Sequence, residues 1–93
     1  MDFEWDDAKA LTNLRKHGIP FGEPIGVFQD DRRLDYDVSR AADREERRRA
    51  VGSLGPWVVA VVYTTRGTAY RIISARRANK TEERRYGDRS PQG

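Results

Sequence analysis

Between residues 66 and 85 the chain carries Arg66, Arg71, Arg76, Arg77, Lys80, Arg84 and Arg85. Such a run concentrates positive potential, and the planar guanidinium fork is matched both to phosphate oxygens and to stacking on rings. A polyphosphate ligand suits it, and Tyr70, Tyr86 and Trp57 are the aromatic side chains placed to stack a base. Read plainly, the same arginines are solvated rim residues and the same aromatics are core. His17 is the single histidine, so any imidazole acid–base chemistry falls to it. A cation in the last turn of a helix also has a sufficient role in opposing the dipole. Glu82 and Glu83 offer a carboxylate base, or are ordinary first-turn acids.

Several other chemistries are excluded by what is missing. With no cysteine there is no thiol nucleophile, no disulfide and no zinc site built on Cys. Neither G-x-x-x-x-G-K nor G-x-G-x-x-G occurs. Ser53, Ser74 and Ser90 sit in no nucleophile elbow. The acidic residues around His17 show no ligand spacing, so neither a metal nor another cofactor is expected.

The 93 residues amount to one domain, taken as residues 1–87 with a polar tail over 88–93. A formal charge of +3 hides two opposed halves. Residues 1–43 carry six basic and ten acidic side chains, and residues 44–93 carry twelve and five. A GC-rich genome would explain the excess of Arg over Lys, but not this polarity. The longest apolar run, Trp57 to Tyr63, is far short of the roughly 20 residues a bilayer requires. The first twenty residues show no secretory pattern. A cytoplasmic protein without membrane contact is expected.

The elements that must position these groups follow from the pattern. Asp6 is an N-cap, Asp7 complements the dipole, and Arg15-Lys16-His17-Gly18 closes a first helix. Phe21, Ile25 and Phe28 recur at helical spacing and predict a short second helix. Alternation over 33–38 predicts a strand, 39–46 a loop, and 47–54 a weaker strand burdened by three consecutive arginines. Trp57 to Tyr63 reads as a central strand, Thr65 to Thr68 as a hairpin turn, and Ala69 to Ala75 as a fourth strand. Asn79 caps a last helix, with Glu82 three residues on, ending at Tyr86-Gly87. The fold class is α+β: two N-terminal helices covering one face of a four-stranded antiparallel sheet, and a short C-terminal helix. The arginines are left to the other face. Pleat alone groups Tyr70, Ile72, Ser74 and Arg76 against Arg71, Ile73, Ala75 and Arg77, with a bulge or turn able to re-aim the last of them.

Two sets of residues, some forty positions apart, resemble one known family. The first is Phe3-Glu4-Trp5-Asp6, Asn13, Lys16-His17-Gly18-Ile19, Phe21, Glu23 and Val27-Phe28 with Asp30. The second is Val59 to Tyr63, Thr65-Arg66-Gly67, Arg71 through Ala78, Lys80, Glu82 and Tyr86. Together they look like the BrnT toxins over residues 3–86. The resemblance implies a RelE-like fold and a bacterial type II toxin: a ribonuclease that blocks translation. It implies a BrnA-like ribbon-helix-helix antitoxin, with promoter DNA bound only through the toxin–antitoxin complex. Pro24 and Gly26 stand where the family usually carries helix formers, which implies a shorter second helix. Arg48 replaces a common aromatic or aliphatic residue of the second strand.

For metal-free cleavage, Arg76 and Arg66 are the expected phosphate clamps, with Arg71 and Arg77 in support and Lys80 and Tyr86 contacting RNA. His17 and Glu82 are the candidate bases. A rival class is a non-catalytic RNA- or DNA-binding module, which would share the basic face without strand scission. A third is an interaction subunit whose arginines serve only a protein partner.

Overall fold

The computed structural model describes residues 2–89. A strand β1 (Asp2–Trp5) leads into helix α1 (Asp7–His17), followed by a 3₁₀ helix (Pro24–Gln29). Then come β2 (Leu34–Asp37), β3 (Arg48–Leu54), β4 (Trp57–Arg66), β5 (Ala69–Arg77) and α2 (Lys80–Arg89). The five strands form one sheet in the order β1-β5-β4-β3-β2. β1 runs parallel to β5, and every other pair is antiparallel.

The expected RelE-like arrangement, two helices on a four-stranded antiparallel sheet, is therefore corrected. Phe3 and Trp5 belong to a fifth, parallel strand, in register with Tyr70 and Ile72. The second helix is a single 3₁₀ segment. Pro24 starts it, and at Gly26 a Cβ would stand 3.0 Å from the Leu54 side chain, so the chain must stay slim there. Of the expected tail, residues 88 and 89 continue α2, and 90–93 lie outside the described residues.

α1 is bounded as its sequence dictates. The Asp6 carboxylate accepts the Lys9 N–H at 3.0 Å, and Gly18 takes φ 72° at the other end. Its inward face carries the buried Asn13, whose amide donates to the Ile19 and Ala75 carbonyls at 3.1 and 2.8 Å. Asn13 Oδ1 accepts the Ala75 N–H at 3.1 Å. β1 pairs with β5 only as far as Ile72, and Asn13 serves the β5 backbone beyond that point.

One face of the sheet packs Val59, Val61, Tyr63, Ala50, Ile72 and Ala75 against Ile19, Phe21 and Val27, with Phe3, Trp5 and Phe28 beside them. A smaller cluster of Leu34, Val51 and Ala60 lies with Val58, Tyr36, Ala78 and Tyr86. α2 contributes Tyr86 to it and covers part of the second face. The rest of that face is available to the arginines.

Simple alternation along β5 fails at a bulge. Val62 pairs with Ser74 and Tyr63 with Ile72, leaving Ile73 as the extra residue. Ala75 consequently joins Ile72 in the main core. Arg71, Ser74 and Arg76 share the second face, and Arg77 is turned to the first. The sets expected from pleat alone are thus exchanged beyond Ile73.

Candidate nucleic-acid interface

At the α2 end of the second face, Arg76 and Glu82 meet in a two-pronged pair. Arg76 Nη1 and Nη2 donate to the two carboxylate oxygens at 2.7 and 2.9 Å. Glu82 is nearly inaccessible, at 5 % exposure, because it also closes the N-terminus of α2. Its Oε1 accepts the Asn79 N–H at 2.9 Å, and Asn79 Oδ1 accepts the Glu82 N–H at 2.8 Å. This reciprocal arrangement is the capping box the sequence announced. Arg49 Nη1 lies 3.6 Å from the other oxygen. Burial pushes the Glu82 carboxyl up, but the Arg76 and Asn79 hydrogen bonds and the charges of Arg76 and Arg49 outweigh it. The group is held below the usual carboxylate range.

Arginines continue along the face from there. Arg49 and Arg85 flank the Tyr36 ring, their guanidinium carbons 6.0 and 5.1 Å from its centroid. Beyond Arg49 opens a cleft of about 220 Å³ lined by Val38, Arg40, Arg47, Arg49, Ile73 and Ser74, with Val62 in its wall. Asp43 holds two of these arginines, at 3.1 Å from Arg40 and 3.6 Å from Arg47. Among the described residues, no group of three or more His, Asp or Glu side chains is arranged to hold a metal ion.

The residues expected from the sequence are distributed unevenly over this surface. Arg76 and Glu82 are in contact, and Arg71 shares their face, 4.0 Å from Glu4. Arg77 points the other way and stacks 3.6 Å over the exposed Trp57 ring. Lys80 is exposed at the first turn of α2. Tyr86 packs under α2 and donates to Asp30 Oδ2 at 2.5 Å. His17 is exposed at the last turn of α1, one turn past Asn13. Arg66 stands at the opposite end, in the β4–β5 hairpin, 3.8 Å from Glu45. Along β4, six residue steps separate Arg66 from Ala60, the register partner of Arg76, or roughly 20 Å at about 3.3 Å per residue.

Arg47, Arg49 and Tyr36 were not singled out by the sequence reading. The signal was present in the Arg47-Arg48-Arg49 run, because alternation puts the outer two on one face and Arg48 on the other. Arg48 is accounted for structurally, its Nε donating to Asp35 Oδ1 at 2.5 Å. Of the two readings open for Tyr70, base platform or core, the structure shows the second: it joins Phe3, Phe28 and Tyr63 in an aromatic cluster on the first face.

A family model described as ribonuclease toxin, BrnT, of type II toxin-antitoxin system matches residues 5–82. The chain belongs to this family. A search of curated proteins finds no match. The BrnT match runs from Trp5 to Glu82, and so takes in α1, β2 to β5 and both members of the Arg76–Glu82 pair. BrnT proteins are ribonuclease toxins of type II toxin–antitoxin systems, which gives the protein a nucleolytic activity and an antitoxin partner. No described helix is long and apolar enough to cross a membrane.

Proposed function

We propose that the protein cleaves RNA without a metal ion at the arginine-lined face of its sheet, and by doing so inhibits translation in the cytoplasm. The observation that carries this reading is the clamped geometry of Arg76. A guanidinium has five N–H donors. Two of those on Arg76 go to Glu82 and one to the Arg77 carbonyl at 3.2 Å. The remaining donors are free for a phosphate, on a side chain whose position is already fixed.

In this mechanism the ribose 2′-oxygen attacks the adjacent phosphorus as its proton passes to a base. The bond from phosphorus to the 5′-oxygen breaks, and that oxygen takes up a proton. The products are a 2′,3′-cyclic phosphate and a 5′-hydroxyl. Charge accumulates on the non-bridging oxygens in between, and fixed cationic donors there supply the main stabilisation. Arg76 carries that role with Arg49 beside it, Arg71 tracks the neighbouring backbone, and the exposed Lys80 extends the contact surface at the first turn of α2. Arg77 on the other face and Tyr86, bonded to Asp30, support the fold around it. Glu82 already serves Arg76 and Asn79 with both oxygens, which suits it to positioning Arg76. That assignment leaves His17 as the base. An antitoxin of the BrnA ribbon-helix-helix type would silence the enzyme by covering this face with an acidic segment. Promoter DNA would then be bound only through the toxin–antitoxin complex.

The test is purified protein incubated with RNA in EDTA, alongside Arg76→Ala. The wild type is expected to leave cyclic phosphate ends, and the variant to lose about 10²–10³ in rate while staying folded. Scission that returns only when a divalent ion is added would rule out the metal-free route. Retention of RNA without any scission would establish a binding module instead. A folded variant as active as the wild type would remove Arg76 from the site.

A further inference from the structure

The cleft bounded by Arg40, Arg47 and Arg49 is assigned nothing by the reaction above, yet it adjoins the Arg76 site on the same strand. Ser74, in its lining, precedes Arg76 by two residues on the same face of β5. Two strand residues span roughly 6–7 Å, which is about the separation of neighbouring phosphates along one RNA strand. Three guanidinium groups meet there, Arg40 and Arg47 against Asp43 and Arg49 against a Glu82 that it shares with Arg76, so the cleft keeps net positive charge. Arg47 Nε lies 3.6 Å from Asp43 Oδ1, and the Arg49 Nε is buried without a hydrogen-bond partner, a cost that native folds accept at few places. Arg49 faces both regions, lining the cleft and lying 3.6 Å from Glu82.

We propose that the cleft is a second phosphate subsite, and that Arg76 and the cleft hold two consecutive phosphates of one unpaired RNA strand. The proposal rests on the ribonuclease reading. At about 220 Å³ the cleft has room for a phosphate with its ribose. Tyr36, flanked by Arg49 and Arg85, offers a ring to an unstacked base beside it. In-line attack by a 2′-oxygen also requires a backbone released from helical geometry. The strand therefore runs along β5 from Arg76 toward Arg47, and the cleft fixes the phosphate next to the scissile one.

The experiment measures binding of a short single-stranded RNA carrying 2′-O-methyl groups, which cannot be cleaved, to wild type, Arg47→Gln and Arg47→Lys across a salt series. For single strands the slope of log K against log salt is about −0.7 per phosphate neutralised. Arg47→Gln is expected to weaken binding about tenfold and to make the slope shallower by about 0.7, while Arg47→Lys keeps the wild-type slope. Equal affinity and slope for Arg47→Gln and wild type overturns the subsite and leaves the ribonuclease reading standing. A wild type that binds no RNA, and cleaves none in its unmodified form, overturns both.

Discussion

Arg76 and Glu82 are joined by two parallel hydrogen bonds of 2.7 and 2.9 Å that tie the end of β5 to the first turn of α2. The same carboxylate caps the helix through Asn79. Glu82→Ala therefore removes an ion-pair partner and a cap together, and leaves the Arg76 cation about two-thirds covered and unpaired. A loss of about 2–3 kcal/mol in unfolding free energy is expected, read from denaturant titration. The pH dependence has a definite sign. The folded-state pKa of Glu82 lies below its ordinary 4.5, so its contribution is complete above 4.5 and is lost as the pH falls through the folded value. The stability gap between wild type and Glu82→Gln should thus be largest at neutral pH and shrink on acidification below about pH 4.5. A gap unchanged down to pH 3 (about the lower end of carboxylate titration) would show that the charge of Glu82 plays no part.

Asn13 is the polar rivet between α1 and β5. Replacing it with Leu leaves the Ala75 N–H and C=O and the Ile19 carbonyl without the amide that serves them. Each unsatisfied buried group costs about 1–3 kcal/mol. A drop in melting temperature exceeding about 10 °C is expected, at about 4–8 °C per kcal/mol for a domain of this size. Thermal unfolding by circular dichroism measures it directly, and a drop of only a degree or two would mean that water or a backbone shift replaces the amide.

Much of this framework was legible because it is local. Asp6, Gly18 and the Asn79–Glu82 spacing each act within a few residues, and the long apolar run of β4 has no other reading. Whatever depends on distant partners was not legible. Asp2–Trp5 becomes a strand only because Ala69 to Ile72 is there to pair with it. The spacing of Phe21, Ile25 and Phe28 fits a helix, but Pro24 and Gly26 with the Leu54 contact reduce the segment to a 3₁₀ turn. The bulge at Ile73 exists because β4 and β5 shift register, and it decides that Arg76 faces α2 while Arg77 faces Trp57. The arginines of β3 could be placed only once that strand's neighbours were known.

His17 and Glu82 can be separated as proton acceptors. If Glu82 positions Arg76 and His17 takes the 2′-hydroxyl proton, His17→Ala should lower kcat by about 10²–10⁴ with little change in KM. Its stability should fall by less than about 1 kcal/mol, the scale of an exposed dipole interaction. Single-turnover cleavage of a labelled oligonucleotide, paired with a melting curve, makes the comparison. Wild-type kcat in His17→Ala would return the base role to Glu82 or to water.

Arg66 completes the set from the far end of the sheet. Roughly 20 Å of strand separates it from Arg76, so a phosphate on Arg76 is out of its reach. Its side chain is about half exposed and only loosely held, 3.8 Å from Glu45, which suits contact with RNA several nucleotides away. Arg66→Ala is accordingly expected to raise KM for long RNA about three- to tenfold, the scale of one exposed phosphate contact, and to leave kcat unchanged. On an oligonucleotide too short to span the sheet the variant should match the wild type. Equal loss on both substrates, carried in kcat, would instead put Arg66 at the reacting phosphate and require the β4–β5 hairpin to fold over the face when RNA binds.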